Sequence, residues 1–221
     1  MKQKFTVLFD LDGTLVDTAP DLIRAHNHVM KKFGYPTKTL GELKNAVGKG
    51  AKEMMAKANG QWKWFDEKIQ NEMTNEFLTY YGNNILHDSK LINGVKEFLN
   101  WCKKENISMA VCTNKTEHLA VDLLKKIGIY DYFEYVAGWN TFEYCKPDPR
   151  TLNTIIEILD GDKNKSIMIG DSETDANTAK AAEIPMILLK YGYTEKRSNE
   201  IYHNHLIKDF VGIEKIVSEY L

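Results

Sequence analysis

The chain has little cysteine: three residues in 221, Cys102, Cys112 and Cys145, with no CxxC pair and no histidine at metal-ligand spacing. That speaks against a disulfide framework or a thiolate metal site, and the odd count fits reduced thiols in a cytoplasm. Cys102 and Cys112 lie in apolar patterns, as small core residues do. An excess of one charge is also missing. Lys and Arg number 29 against 31 Asp and Glu, a net charge of -2, so no electrostatic footprint for nucleic acid or an acidic membrane is present. No apolar run approaches the length of a transmembrane helix. Met1-Lys2-Gln3-Lys4 leads directly into a strand-like segment, and no signal peptide is expected. Repeats and low-complexity segments are absent. What remains is an ordinary soluble composition, 43% hydrophobic and 27% charged, long enough for one domain or one domain with a smaller insert.

The most informative segment is Phe9-Asp10-Leu11-Asp12-Gly13-Thr14-Leu15-Val16-Asp17. It follows the apolar run Phe5 to Phe9, which reads as a buried strand ending at a glycine turn. Alternation along a strand lets Asp10 and Asp12 share a side. Two carboxylates at the end of a buried strand repel each other and lose hydration, so they need compensation, which a hard divalent cation supplies. Asp before Gly is also a common turn signal, and a carboxylate pair equally suits glycoside hydrolysis. Both readings stay open at this point.

Beyond the first strand, apolar residues recur at helical spacing. Thr18 and Asp21 form a candidate capping box, and Pro20 suits a first helical turn. Thr39 with Glu42 offers a second helix start, residues 51–58 a short helix, and Trp62, Phe65, Ile69, Met73, Phe77 and Tyr80 a longer one packed into the core. No strand is evident from Val16 to about His87. From Asn93 onward helices alternate with strand-like runs at 107–112, 132–137, 166–169 and 186–189. The expected fold is α/β: a doubly wound parallel-sheet, Rossmann-like core formed by residues 1–15 and 88–221, with a helical cap, 16–87, inserted after the first strand. His203 and His205 are isolated in a polar stretch and read as surface residues.

In such sheets ligands gather outside the carboxyl ends of the strands. Those ends carry Asp10 and Asp12, then Thr113-Asn114-Lys115, then Lys146-Pro147-Asp148-Pro149, then Gly170-Asp171-Ser172-Glu173-Thr174-Asp175. Each has a plain alternative: a turn for Thr113, solvent for Lys146, helix capping for Asp171 and Asp175. Jointly they suit phosphoryl transfer, whose charged oxygens need a cation, a lysine and hydrogen-bond donors. In that chemistry Asp10 attacks phosphorus, Asp12 serves as acid and then base, and Asp171 with Asp10 holds Mg²⁺.

The runs DLDGTLVDT, VCTNK, KPDP and GDSETD resemble the four motifs of the haloacid dehalogenase superfamily, in order and across nearly the whole chain. The resemblance implies Asp10 as nucleophile and Asp12 as acid/base, with Thr113, Asn114 and Lys146 on the substrate phosphate. It implies Mg²⁺ held by Asp10, Asp171 and the backbone carbonyl of Asp12, with Asp175 in the outer shell. Within the superfamily the chain is most similar to bacterial phosphoglycolate phosphatases, through Asp17-Thr18, Val47-Gly48-Lys49-Gly50-Ala51 and Tyr191-Gly192-Tyr193. That likeness implies 2-phosphoglycolate as substrate and assigns cap specificity to Gly48, Lys49 and Gly50, whose glycines let backbone amides approach a small anion. A cytoplasmic monomer or homodimer acting on a small phosphorylated metabolite is the resulting expectation. The alternatives are a phosphomutase of the β-phosphoglucomutase type and a phosphatase of another small ester. Asp12 argues against dehalogenases and phosphonatases, which lack it, and the full motif set argues against a non-catalytic module.

Overall fold

The computed structural model describes residues 4–43, 46–47, 50–58 and 67–221. In chain order the strands are β1 (Thr6–Phe9), β2 (Val16–Asp17), β3 (Lys90–Leu91), β4 (Ser108–Cys112), β5 (Tyr135–Ala137), β6 (Ser166–Gly170), β7 (Met186–Leu189) and β8 (His205–Ile207). Six of them form one sheet in the order β5-β4-β1-β6-β7-β8, and every pairing in it is parallel. Strands β1, β4, β6 and β7 are buried along their whole length, as expected of parallel strands covered on both faces.

Alternation sorts their side chains into two cores. Val7 and Phe9 join Val111 and Ile169 on one face, covered by α5 (Val95–Lys104), α6 (Glu117–Lys126) and α9 (Ile213–Ser218). Leu8 joins Ala110 and Met168 on the other, covered by α7 (Arg150–Ile158) and α8 (Glu173–Ala181). The sheet is therefore doubly wound, and its topological switch falls between β1 and β6, where a ligand crevice opens in this architecture.

The helical block between β2 and β3 consists of α1 (Ala19–Lys32), α2 (Leu40–Leu43), α3 (Ala51–Ala58) and α4 (Glu67–Asn83). Along α4, Met73, Phe77 and Tyr81 are buried, whereas Ile69 is 37% exposed, so the expected core stripe is shifted toward the end of the helix. Trp62 and Phe65 lie outside the described residues. Cys102 and Cys112 are buried free thiols, and burial pushes Cys112 up to about 12.

Three expectations need correction. The block does contain a strand: β2 pairs antiparallel with β3, Val16 opposite Leu91 and Asp17 opposite Lys90. A ribbon of two-residue strands has too few residues to show a period. Thr18 and Asp21 do not form a capping box. Thr18 Oγ1 donates to Asp12 at 2.7 Å, and Asp21 accepts from the backbone N–H groups of His87, Asp88 and Ser89 at 3.0 Å. The chain entering α1 is thereby tied to the chain returning from α4. Finally, His205 lies on the edge strand β8 and shares a 2.8 Å hydrogen bond with the Tyr220 hydroxyl.

Candidate active site

Asp10 directly follows β1, and its backbone N–H donates to Ile169 on β6 at 2.9 Å, so the side chain stands at the switch point. Gly13, at φ +86°, turns the chain back; a Cβ there would lie 2.3 Å from Asp171 Oδ2. Only glycine combines this conformation with that approach. Gly192 is similarly confined, since its Cβ would come 1.9 Å from the Asp171 carbonyl oxygen.

Lys146 is 4% exposed, in place of the solvated position common for lysine. Its ammonium donates to Asp10 at 2.7 Å and to Asp175 at 2.6 Å. Burial works against that charge, and Asp10 and Asp175 more than offset it, so the group is held above the ordinary lysine range. Asp175 caps α8 in a reciprocal box with Ser172. Its Oδ2 accepts from the N–H groups of Asp171 and Ser172 at 3.2 and 3.1 Å, leaving Oδ1 for Lys146. Capping and site duties are thus combined in one carboxylate.

Asp171 accepts from Thr14 Oγ1 at 3.2 Å and from the Tyr193 N–H at 2.7 Å. Burial, with Asp175 and Asp10 alongside, pushes it well above the usual carboxylate range. Burial likewise raises Asp10 to about 7, against the opposing pull of Lys146. Four buried carboxylates, Asp10, Asp12, Asp171 and Asp175, face two buried ammonium groups, Lys115 and Lys146, so full ionisation would leave two negative charges over. Oxygens of Asp10, Asp171 and Asp175 lie within 4.8 Å of one another. An all-oxygen set with that charge suits a hard divalent cation.

Asp12 points elsewhere: Lys115 donates to its two oxygens at 2.9 and 3.0 Å, and Thr18 to one of them. Lys115 is 9% exposed and sits 4.5 Å from the centroid of the Tyr81 ring, a cation–π arrangement. Thr113 Oγ1 accepts the Lys115 N–H at 3.2 Å, and Asn114 Nδ2 donates to the Lys146 carbonyl at 3.1 Å, which ties the loops after β4 and β5 together. Beyond them opens a cavity of about 490 Å³ lined by Asp12, Lys115, Lys146, Gly50 and side chains of α3 and α4.

The strand-end residues Asp10, Asp12, Thr113, Asn114, Lys146, Asp171 and Asp175 thus converge on one crevice. Gly50 reaches the cavity from the start of α3, with its Cβ position 3.8 Å from the Asn114 carbonyl oxygen. Gly48 and Lys49 lie outside the described residues. Sequence reasoning gave no part to Lys115, Thr14 or Tyr193. Tyr193 donates through its backbone to Asp171 and through its hydroxyl to Asp17, and accepts from the Ala19 N–H at 3.1 Å. Lys115, beside Thr113 at a strand end, was the one of these whose position was informative.

Residues 7–189 match the profile of the haloacid dehalogenase-like hydrolases. A phosphoglycolate phosphatase of Agrobacterium fabrum is 38% identical over 218 residues, 96% of this chain and 94% of its own length. One from Mesorhizobium japonicum is 35% identical over 216 residues, 97% and 95% respectively. A crystal structure described as a predicted phosphoglycolate phosphatase from Haemophilus somnus 129PT superposes with a TM-score of 0.90 at 27% identity, covering 98% of this chain and 99% of that one.

Proposed function

The chain belongs to the haloacid dehalogenase-like hydrolases, and from that premise we propose that it is a Mg²⁺-dependent phosphatase converting 2-phosphoglycolate to glycolate and phosphate. The observation that carries the chemistry is the buried Lys146 ammonium, shared between Asp10 and Asp175 within the acidic cluster of Asp10, Asp171 and Asp175. The substrate rests on the relatives above, both named phosphoglycolate phosphatase and matched over nearly their whole length.

In this reading an Asp10 oxygen attacks phosphorus, and the bond from phosphorus to the ester oxygen breaks. Asp12 gives its proton to the departing oxygen, which leaves as the glycolate hydroxyl. Water then attacks the aspartyl phosphate, Asp12 takes its proton, and phosphate departs with Asp10 restored. Lys146, Thr113 and Asn114 bind the phosphoryl oxygens. Asp10, Asp171 and the Asp12 backbone carbonyl would hold Mg²⁺, with Asp175 outside them, and the ion would supply charge neutralisation where anionic nucleophile meets anionic ester. Residues 16–87 act as a cap over the core of residues 1–15 and 88–221, excluding water when closed. The β2–β3 ribbon supports this division, since it is where the chain leaves and re-enters the core. Gly48, Lys49 and Gly50 are its proposed contribution to specificity. The enzyme works in the cytoplasm as a monomer or homodimer, in keeping with its free cysteines.

Phosphate release from 2-phosphoglycolate, sugar phosphates, pyrophosphate and β-glucose 1-phosphate, with Mg²⁺ and with EDTA, tests this function. Metal-dependent preference for 2-phosphoglycolate is expected. Preference for another ester would keep the chemistry and change the substrate. Conversion of glucose 1-phosphate to glucose 6-phosphate without net release would make the protein a mutase.

A further inference from the structure

The cavity above Asp12 is mostly apolar, walled by Leu22, Met54, Phe77 and Leu119 among others. Among the described residues, four buried polar atoms of side chains lining it have no hydrogen-bond partner: Thr74 Oγ1, Tyr81 Oη, Asn114 Oδ1 and Thr116 Oγ1. Buried polar groups are rarely left unpaired unless something else pairs them. Beside Tyr81 stands a buried cation. Lys146 is committed to two carboxylates, whereas Lys115 donates to Asp12 and leans over the Tyr81 ring.

We propose that Lys115, with the Tyr81 and Thr116 hydroxyls, forms the subsite that receives a carboxylate on the leaving-group side of the substrate. The inference rests on the phosphatase reading and names the feature by which that site selects its ester. A carboxylate only accepts hydrogen bonds, and an ammonium with two hydroxyls offers only donors to it. In an O–CH₂–COO⁻ leaving group the ester oxygen is one carbon from the carboxylate. Holding that carboxylate on the ammonium that also holds Asp12 brings the ester oxygen to the group that protonates it. The same anchor thus selects the substrate and orients it. Lys52 also lines the cavity, from an exposed position on α3, and serves as the comparison cation.

The test compares 2-phosphoglycolate with 2-hydroxyethyl phosphate, which replaces the carboxylate by a neutral alcohol. Wild type, K115M, K115R and K52M are assayed on both, with circular dichroism to verify folding. Wild type should prefer 2-phosphoglycolate. K115M should lower that preference by about tenfold or more, chiefly through KM for the carboxylate ester, and K115R should restore part of it. K52M should leave the preference in place. Equal losses on both esters in K115M would reduce Lys115 to orienting Asp12 and overturn the proposal, as would a wild type indifferent to the carboxylate or a preference carried by Lys52. Should K115M turn over neither ester, calorimetry in an Asp10→Asn background decides. Adding K115M must then weaken 2-phosphoglycolate binding by about tenfold or more while changing 2-hydroxyethyl phosphate by less than about threefold; equal changes overturn the proposal. Failure of wild type to release phosphate from either ester would instead overturn the phosphatase reading, and the subsite with it.

Discussion

Lys146 is the residue on which the acidic cluster depends. Removing one partner of a buried ion pair leaves the others charged and uncompensated. Lys146→Ala should therefore abolish detectable phosphate release and lower stability at neutral pH by about 3–5 kcal/mol in metal-free urea unfolding. Unchanged unfolding would mean that the carboxylates relax without it. Asp10→Asn, by contrast, removes a charge from an already over-negative cluster; turnover should vanish while the circular dichroism spectrum stays native. The raised Asp10 has a consequence for pH. It ionises near 3.8 in the unfolded chain but at about 7 in the fold, so between those values the native state binds more protons. Its contribution to stability is full below about pH 3.8 and is lost as pH rises through about 7. Metal-free protein should lose thermal stability from pH 5 to 8, and saturating Mg²⁺ should flatten that slope. A metal-free stability that rises over this interval would contradict the direction. The residues gathered in the crevice were visible beforehand because each sits where a parallel strand ends. Lys115 stands at a strand end too, but its part, like that of Tyr193, depends on partners 103 and 174 residues away, a pairing that no local pattern encodes.

At the level of elements, the ties between β1, the ribbon and α1 matter most. Asp21 joins the start of α1 to residues 87–89 through three backbone donors and the Ser89 hydroxyl. Asp21→Ala would strip the partners from those donors and should cost about 3 kcal/mol. Faster amide exchange at 87–89 would locate the effect, and protection equal to wild type would refute it. Gly13→Ala forces a side chain into a left-handed turn against Asp171 and the Tyr193 ring. It should lower the melting temperature and abolish activity together. The long elements were legible from period and breakers, down to the bounds of Ala51–Ala58. The elements that escaped, β2, β3 and β8, run two or three residues each. They exist because a partner strand is already in place, not because of their own sequence.

Taken whole, the molecule sets a mostly helical block beside a sheet whose switch point holds the acidic cluster, with the cavity between them. With the proposed closure of residues 16–87 over the core, Asp10→Asn protein with Mg²⁺ and 2-phosphoglycolate should show slower amide exchange in α3, α4 and residues 113–116. Exchange unchanged there would count against closure. The sheet order has a further bearing, on time rather than on geometry. β1 lies at the centre of the sheet yet leaves the ribosome first, and its partners begin only at Ser108 and Ser166. Asp10 is made 136 residues before the lysine that compensates it. Non-local pairing of this kind slows folding and exposes apolar strand edges while the chain waits. During synthesis β1 is thus a sticky, unpaired segment without its counter-charge, and catalytic competence can arise only after nearly the whole sheet has closed. Recovery of phosphatase activity on refolding would be a late event, a reporter of completed topology rather than of any fragment.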